Sequence, residues 1–149
     1  MELVQVLAGV ALCSGLSPSQ LASLAAISHR EVYNTDAVIF NQNDPGDKMY
    51  LITGGQVEIR LNDGAGGNHA TIYLGQGQIF GEMALLDQGS RSASVVAIEE
   101  NTELYAISSD AFVSLCQQDT AIGYIMMRNM ALDLSFKLRH KNLDPSASL

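Results

Sequence analysis

One stretch of the sequence, residues 80–95, combines residue types whose spacing suits the binding of a small anion. Gly81 lets the backbone approach a ligand closely. The helix formers behind it can open a helical turn, which presents free N–H groups near Met83 and Ala84 together with the positive end of its dipole. Later in the stretch, Arg91 supplies a guanidinium that can hold two phosphate oxygens by parallel hydrogen bonds. The stretch therefore predicts a phosphate site.

The composition makes Arg91 conspicuous. The chain has 149 residues, with 8 Lys and Arg against 16 Asp and Glu, and a formal net charge of −8. Its length and its apolar content of 47% predict one folded domain over residues 1–149. Because proteins hold duplex DNA chiefly through Lys and Arg, the charge balance disfavours direct DNA binding. Arg91 is therefore one of few positive charges in an acidic chain.

Short strands must position this stretch, and helices flank them. Between residues 30 and 107, runs of β-branched and aromatic residues alternate with turns rich in Gly, Asn and Asp, a rhythm typical of a β-sandwich, jelly roll or small barrel. Residues 3–12 and 18–28 are predicted to form two short helices. A helical pattern then runs over residues 108–142, and residues 143–149 are predicted to be a flexible tail.

Residues 80–95 resemble the phosphate-binding cassette of cyclic nucleotide-binding domains. The shared pattern is Phe-Gly-Glu, apolar residues, a variable segment, then Arg, a small residue, Ala, a small residue and Val, and it matches without a gap. The resemblance covers about residues 10–140. It implies a mainly β fold, an eight-stranded β jelly-roll barrel (double-stranded β-helix) over residues 30–107, with N-terminal helices at 1–29 and a C-terminal helix pair.

The resemblance also implies a role for each residue of the cassette. Arg91 and Ser92 would hold the exocyclic phosphate, and Glu82 would accept a hydrogen bond from the ribose 2′-hydroxyl. Backbone groups of the cassette would add further contacts. Asp47 would pair with Arg91, although an Asp in a Pro-Gly turn is equally explained by turn chemistry. The ligand-binding residues implied by the resemblance are Gly81, Glu82, Met83, Ala84, Arg91, Ser92 and Ala93.

Which base the site prefers depends on the terminal helix. Asp133 on that helix either reads the N1 and N2 protons of guanine or forms an i,i+4 pair with Lys137. Bacterial cAMP-dependent activators place Thr and Ser against adenine, whereas this chain offers Lys137 and Leu138 by gapless register. We expect cyclic AMP as the ligand, with a cyclic GMP-selective sensor as the alternative.

The terminal helix is also the element through which we expect the protein to signal to a partner protein or subunit. It carries two apolar stripes, one of which can cover the barrel while the other needs a partner. The resemblance implies a homodimer or an effector protein bound through this helix. The stripes consist of Met127, Met130, Leu134 and Leu138, and of Ile122, Ile125, Leu132 and Phe136.

Other function classes remain as alternatives. A protein-interaction module with a degenerate pocket would share the fold, and a metal-dependent barrel enzyme would need clustered histidines, whereas this chain has His29, His69 and His140 in different elements. We therefore expect no metal, no cofactor and no catalysis. The two cysteines suit packing in a reduced, cytoplasmic protein. Gly, Ser and Pro residues interrupt the uncharged segment 3–29 too often for a membrane span, and the first residues hold Glu2 but no Lys or Arg, whereas an export signal needs a positive start.

Overall fold

Eight strands form two antiparallel sheets of four strands each in a computed structural model that describes residues 2–62 and 68–140. One sheet has the order β1-β8-β3-β6 and the other β2-β7-β4-β5. This arrangement confirms the expected mainly β jelly-roll fold of eight strands. The strands are β1 (Ser28–Tyr33), β2 (Val38–Phe40), β3 (Lys48–Gly54), β4 (Gln56–Asn62), β5 (Asn68–Gly75), β6 (Ile79–Phe80), β7 (Ser94–Ala97) and β8 (Thr102–Ser108).

Helices lie at both ends of the strand region, as expected. The first predicted helix is shorter than residues 3–12, because it ends before Gly9 and the chain continues into a separate 3-10 turn. The second begins at the predicted capping box of Ser17 and Gln20 and ends early, because Ser28 already pairs with β8. The predicted tail, residues 143–149, lies outside the described residues. The helices are α1 (Leu3–Ala8), α2 (Pro18–Ala26), α3 (Ser109–Gln118) and α4 (Thr120–His140), and the 3-10 turns are Ala11–Cys13 and Glu82–Leu85.

The central strand β3 is buried on both faces, so it joins two apolar cores. Because successive side chains of a strand point to opposite faces, Met49 and Leu51 pack against the helices while Tyr50 and Ile52 pack between the two sheets. The helix-side core contains Phe112 of α3, together with fully buried side chains of α2 and α4. Because β6 pairs with β3, the residues that follow β6 start beside a strand that is packed on both faces.

The long helix α4 packs on the helix-side core through one row of residues. Ile122, Met126 and Met130 are buried at successive spacings of four. The predicted division into two stripes is therefore wrong, because the buried row takes one residue from each stripe and centres on Met126. The side-chain amide of Asn129 donates hydrogen bonds to the carbonyl oxygens of Leu12 (2.8 Å) and Ser14 (2.9 Å), which attach α4 to the N-terminal segment.

Candidate functional site

Gly81 makes the turn that follows β6, and its backbone conformation favours glycine. Its φ is 73°, in the left-handed region. A Cβ atom there would lie 2.7 Å from Arg91 Nη1 and 3.2 Å from the Lys48 carbonyl oxygen. The close approach predicted for Gly81 is therefore an approach to the arginine of the same cassette.

A cavity of about 630 Å³, here called the larger cavity, opens beside this turn. One wall is apolar and comes from the strands, with Phe40, Leu61 and Leu74 among its side chains. The other wall is the cassette. The structure brings every predicted ligand-binding residue to this cavity: Gly81, Glu82, Met83, Ala84, Arg91, Ser92 and Ala93.

Arg91 is a buried cation on the wall of the larger cavity, with only 7% of its surface exposed. Its Nη2 donates a hydrogen bond to the Lys48 carbonyl oxygen over 2.7 Å, and its Cζ lies 4.1 Å from the centroid of the Phe40 ring. Its Nε is buried and has no hydrogen-bond partner among the described residues. Burial lowers the pKa of the guanidinium, and Coulomb interactions with Tyr50, Asp47 and Asp44 partly oppose that shift. Arginine stays protonated at neutral pH, so the cavity wall carries a positive charge.

The predicted pairing of Asp47 with Arg91 is not formed among the described residues. The charge of Asp47 raises the pKa of Arg91 only by a longer-range Coulomb effect. The Asp47 carbonyl oxygen instead accepts a hydrogen bond from the N–H of Ser109, where α3 begins (2.9 Å). The backbone holds Arg91 in place: its N–H donates to the Asp44 carbonyl oxygen, and its own carbonyl oxygen accepts from the Asn43 N–H, both at 2.8 Å.

The 3-10 turn of the cassette offers fewer free donors than its sequence predicts. The Ala84 N–H donates to the Gly81 carbonyl oxygen over 3.1 Å, so it is already used. For the Met83 N–H, no acceptor is found among the described residues. Glu82 is half-buried, whereas Met83 and Ser92 are exposed. The side chains of Glu82 and Ser92 can therefore reach a ligand, while the backbone contributes less than expected.

A smaller cavity of about 350 Å³ lies between α4 and the N-terminal segment. Glu82 and Met83 line both cavities, so the cassette is their common wall. Asp133 and Lys137 line only the smaller one, and Asp133 Oδ2 lies 3.0 Å from Lys137 Nζ. The i,i+4 pair is thus formed, and Asp133 lies outside the larger cavity.

Other kinds of site receive no support within the described ranges. No group of three or more His, Cys, Asp or Glu residues comes together there to hold a metal ion. None of the helices described is long and apolar enough to cross a membrane. Both cysteines are free, and burial raises the pKa of the Cys13 thiol to about 11 and also raises that of Cys116. Such thiols are poor nucleophiles at neutral pH.

Two contacts of Arg91 could not be predicted from the sequence. Phe40 is an apolar strand residue, which alone indicates core packing. The Lys48 carbonyl oxygen is a backbone atom that any residue type would supply. Only the tertiary structure places either one against the guanidinium.

Comparisons with known proteins identify similar sequences and structures. A family model described as "Cyclic nucleotide-binding domain" matches residues 30–119. The "Cyclic AMP receptor protein" of Thermus thermophilus is 34% identical over 136 residues, which are 91% of this chain and 61% of that protein. The crystal structure of the Thermus thermophilus catabolite activator protein is also 34% identical, superposes with a TM-score of 0.79, and matches over 90% of this chain and 61% of that chain.

A third relative is longer still. "Glutaminase 1" of Bradyrhizobium diazoefficiens is 38% identical over 127 residues, which are 85% of this chain but 20% of that protein. This chain therefore spans less than two thirds of the length of these curated relatives. The similarity concerns only part of each relative.

Proposed function

Because the chain belongs to the cyclic nucleotide-binding domain family, we propose that it is a sensor that binds cyclic AMP in the larger cavity. The observation that carries the proposal is the state of Arg91, a buried guanidinium on the cavity wall that forms no ion pair within the described part of the chain. An unpaired buried charge is costly. A phosphate in the cavity would supply the missing counter-charge.

The other walls of the larger cavity suit the rest of a cyclic nucleotide. Glu82 is within the cavity lining and half-buried, so its carboxylate can accept a hydrogen bond from a ribose 2′-hydroxyl. The exposed hydroxyl of Ser92 can donate to the phosphate. The apolar side chains of Leu61 and Leu74 offer a surface for a purine base. A volume of about 630 Å³ lies within the range of small-molecule sites.

Two observations favour cyclic AMP over cyclic GMP. The Thermus thermophilus relative is named for cyclic AMP. The carboxylate that could read guanine, Asp133, is bound by Lys137 and lies on the other cavity. Cyclic GMP is therefore the weaker candidate, and the binding experiment below includes it.

We propose that α4 transmits occupancy of the site. Glu82 and Met83 separate the two cavities, and α4 forms the far wall of the smaller one. A ligand that moves the cassette would thus change the packing of α4. The size of the response is limited by the difference in ligand affinity between the two arrangements.

One flank of α4, beside its buried row, supports a second copy of this chain as the partner. A seam of apolar residues repeats along it at spacings of 3, 4, 3 and 4, as in a coiled coil. Tyr124 is 69% exposed and Leu138 is 66% exposed, so the ends of the seam are uncovered in the single chain. The seam consists of Tyr124, Met127, Ala131, Leu134 and Leu138.

Such a sensor regulates by binding, without a catalytic step in this domain. We also propose a cytoplasmic location, because Cys13 and Cys116 are free thiols. The similar segment of Glutaminase 1 is a fifth of that protein, so the domain also occurs within longer chains.

Thermal denaturation with added nucleotides tests the proposal. A ligand present at 100 times its Kd raises the free energy of unfolding by about 2.7 kcal/mol, and for a domain of this size each kcal/mol raises Tm by about 2–4 °C. We expect the largest shift with cyclic AMP and none with 5′-AMP, whose phosphate is not cyclised. A larger shift with cyclic GMP would show that the site prefers guanine to adenine. No shift with any cyclic nucleotide would overturn the proposal in favour of an interaction module.

A further inference from the structure

We infer that Phe40 is a positioning residue for Arg91: its ring face holds the guanidinium in the orientation that receives a phosphate. The inference rests on the proposed function for its consequence in binding. Its structural basis, the contact between ring and cation, is independent of any ligand. The Arg91 Cζ lies 4.1 Å from the ring centroid, within the range of a cation–π interaction.

The charge of Arg91 needs this support because few other groups near it can stabilise a cation. Only 7% of the residue is exposed, so water solvates it poorly. The Lys48 carbonyl oxygen satisfies Nη2, while Nε is buried without a partner among the described residues. Asp47 and Asp44 act on it only through longer-range Coulomb effects. The face of the Phe40 ring, which carries negative partial charge, is therefore a principal contact of the cation.

The position of the ring is itself fixed. Phe40 pairs with Val95 between β2 and β7, which sets its backbone beside the end of the cassette. Its ring contacts those of Tyr50 (centroids 6.0 Å apart) and Phe80 (5.9 Å), and the latter two stack at 5.0 Å. A ring that is held on two sides can in turn hold a guanidinium. Phe40 also lines the larger cavity, so the ring and the charge face the same space.

Substitutions that keep or remove the ring test the inference through cyclic AMP affinity. Phe40→Leu keeps an apolar side chain but removes the ring, and we expect it to weaken binding by about 5- to 30-fold. Phe40→Tyr keeps the ring and should bind like the wild type. Equal affinity for Phe40→Leu and the wild type, or equal losses in both variants, would overturn the inference. Phe40→Ile replaces Phe40→Leu if the latter does not fold, since a β-branched residue suits the strand.

A double-mutant cycle in the ligand-free protein separates this inference from the proposed function. The free energy of unfolding is measured for the wild type, Phe40→Leu, Arg91→Met and the double variant. If the ring stabilises the cation, the loss caused by Phe40→Leu is smaller when Arg91 is already Met. Strictly additive losses would refute the contact. If no cyclic nucleotide binds at all, the proposed function fails, and the cycle still decides whether the ring holds the charge.

Discussion

The Arg91 guanidinium donates a hydrogen bond to the Lys48 backbone carbonyl oxygen over 2.7 Å, and this bond links the cassette to β3 across 43 residues of sequence. The acceptor is a main-chain atom at the first residue of a strand. It therefore moves with the strand and is independent of the Lys48 side chain. The orientation of the one buried cation described in the cavity thus depends on the placement of β3.

Lys48→Ala should leave cyclic AMP affinity unchanged. The side chain of Lys48 points to Glu31, with Nζ 3.7 Å from the carboxylate, and only its carbonyl oxygen supports Arg91. The substitution removes a positive charge from the chain but keeps that acceptor. Calorimetric titration measures the outcome. A large loss of affinity would mean that the Lys48 ammonium, and not only Arg91, binds the phosphate.

Glu82→Ala should weaken binding of cyclic AMP while leaving binding of 2′-deoxy-cyclic AMP unaffected. A hydrogen bond to a carboxylate contributes about 1.5–3 kcal/mol, so the expected loss is about 10- to 150-fold. The wild type should lose a similar factor when the ligand lacks the 2′-hydroxyl. Competition binding with both ligands gives the comparison. Equal weakening of the two ligands would show that Glu82 does not contact the ribose hydroxyl.

Gly81→Ala should reduce both stability and cyclic AMP affinity, and Gly77→Ala is its matched control. Both glycines have positive φ, 73° and 86°, so each substitution should cost about 1–2 kcal/mol of unfolding free energy. A Cβ at residue 81 also meets Arg91, whereas at residue 77 nothing lies within 4 Å. Only Gly81→Ala should therefore impair binding, as measured by denaturation and titration in parallel. Similar affinities for the two variants would argue against a collision with Arg91.

The local parts of the site could be predicted from the sequence, and the long-range parts could not. The spacing of Gly81 and Arg91 within one short segment implies a shared loop, so both residues and their neighbours reach the same cavity. The partner of Arg91 depends on side-chain conformations and on which strands are adjacent. The sequence therefore predicts Asp47 as its partner, whereas Phe40 and the Lys48 carbonyl oxygen make the contacts.

The same difference between local and long-range contacts explains why the sequence does not predict the buried face of α4. Nearly every turn of this helix carries apolar residues, so its periodicity permits several buried faces. The packing of the N-terminal segment, fixed by the two hydrogen bonds of Asn129, selects the row centred on Met126. Turn residues mark six of the strands along the chain, whereas the number eight follows from the family resemblance, because neither the charged β1 nor the two-residue β6 has a clear strand pattern.

Ala131→Glu should dissociate the proposed dimer, and Ala121→Glu should leave it intact. Both residues are exposed on α4, but only Ala131 lies on the proposed seam, midway between Tyr124 and Leu138. A buried, unpaired carboxylate at a dimer seam is strongly unfavourable. Sedimentation velocity of the wild type and both variants measures the assembly. A wild-type monomer, or a dimer that survives Ala131→Glu, would contradict a seam on this face.

The most direct test of the account is calorimetric titration of cyclic AMP into the wild type and Arg91→Ala, with Arg30→Ala as a control. Arg30 pairs with Glu103 at the surface and does not line the cavity. Removing a buried partner of a ligand charge typically costs about 2–5 kcal/mol, so Arg91→Ala should bind at least about 30-fold more weakly while remaining folded by circular dichroism. Arg30→Ala should bind like the wild type. Equal cyclic AMP affinity in Arg91→Ala and the wild type would contradict the assignment of Arg91 as the phosphate-binding residue.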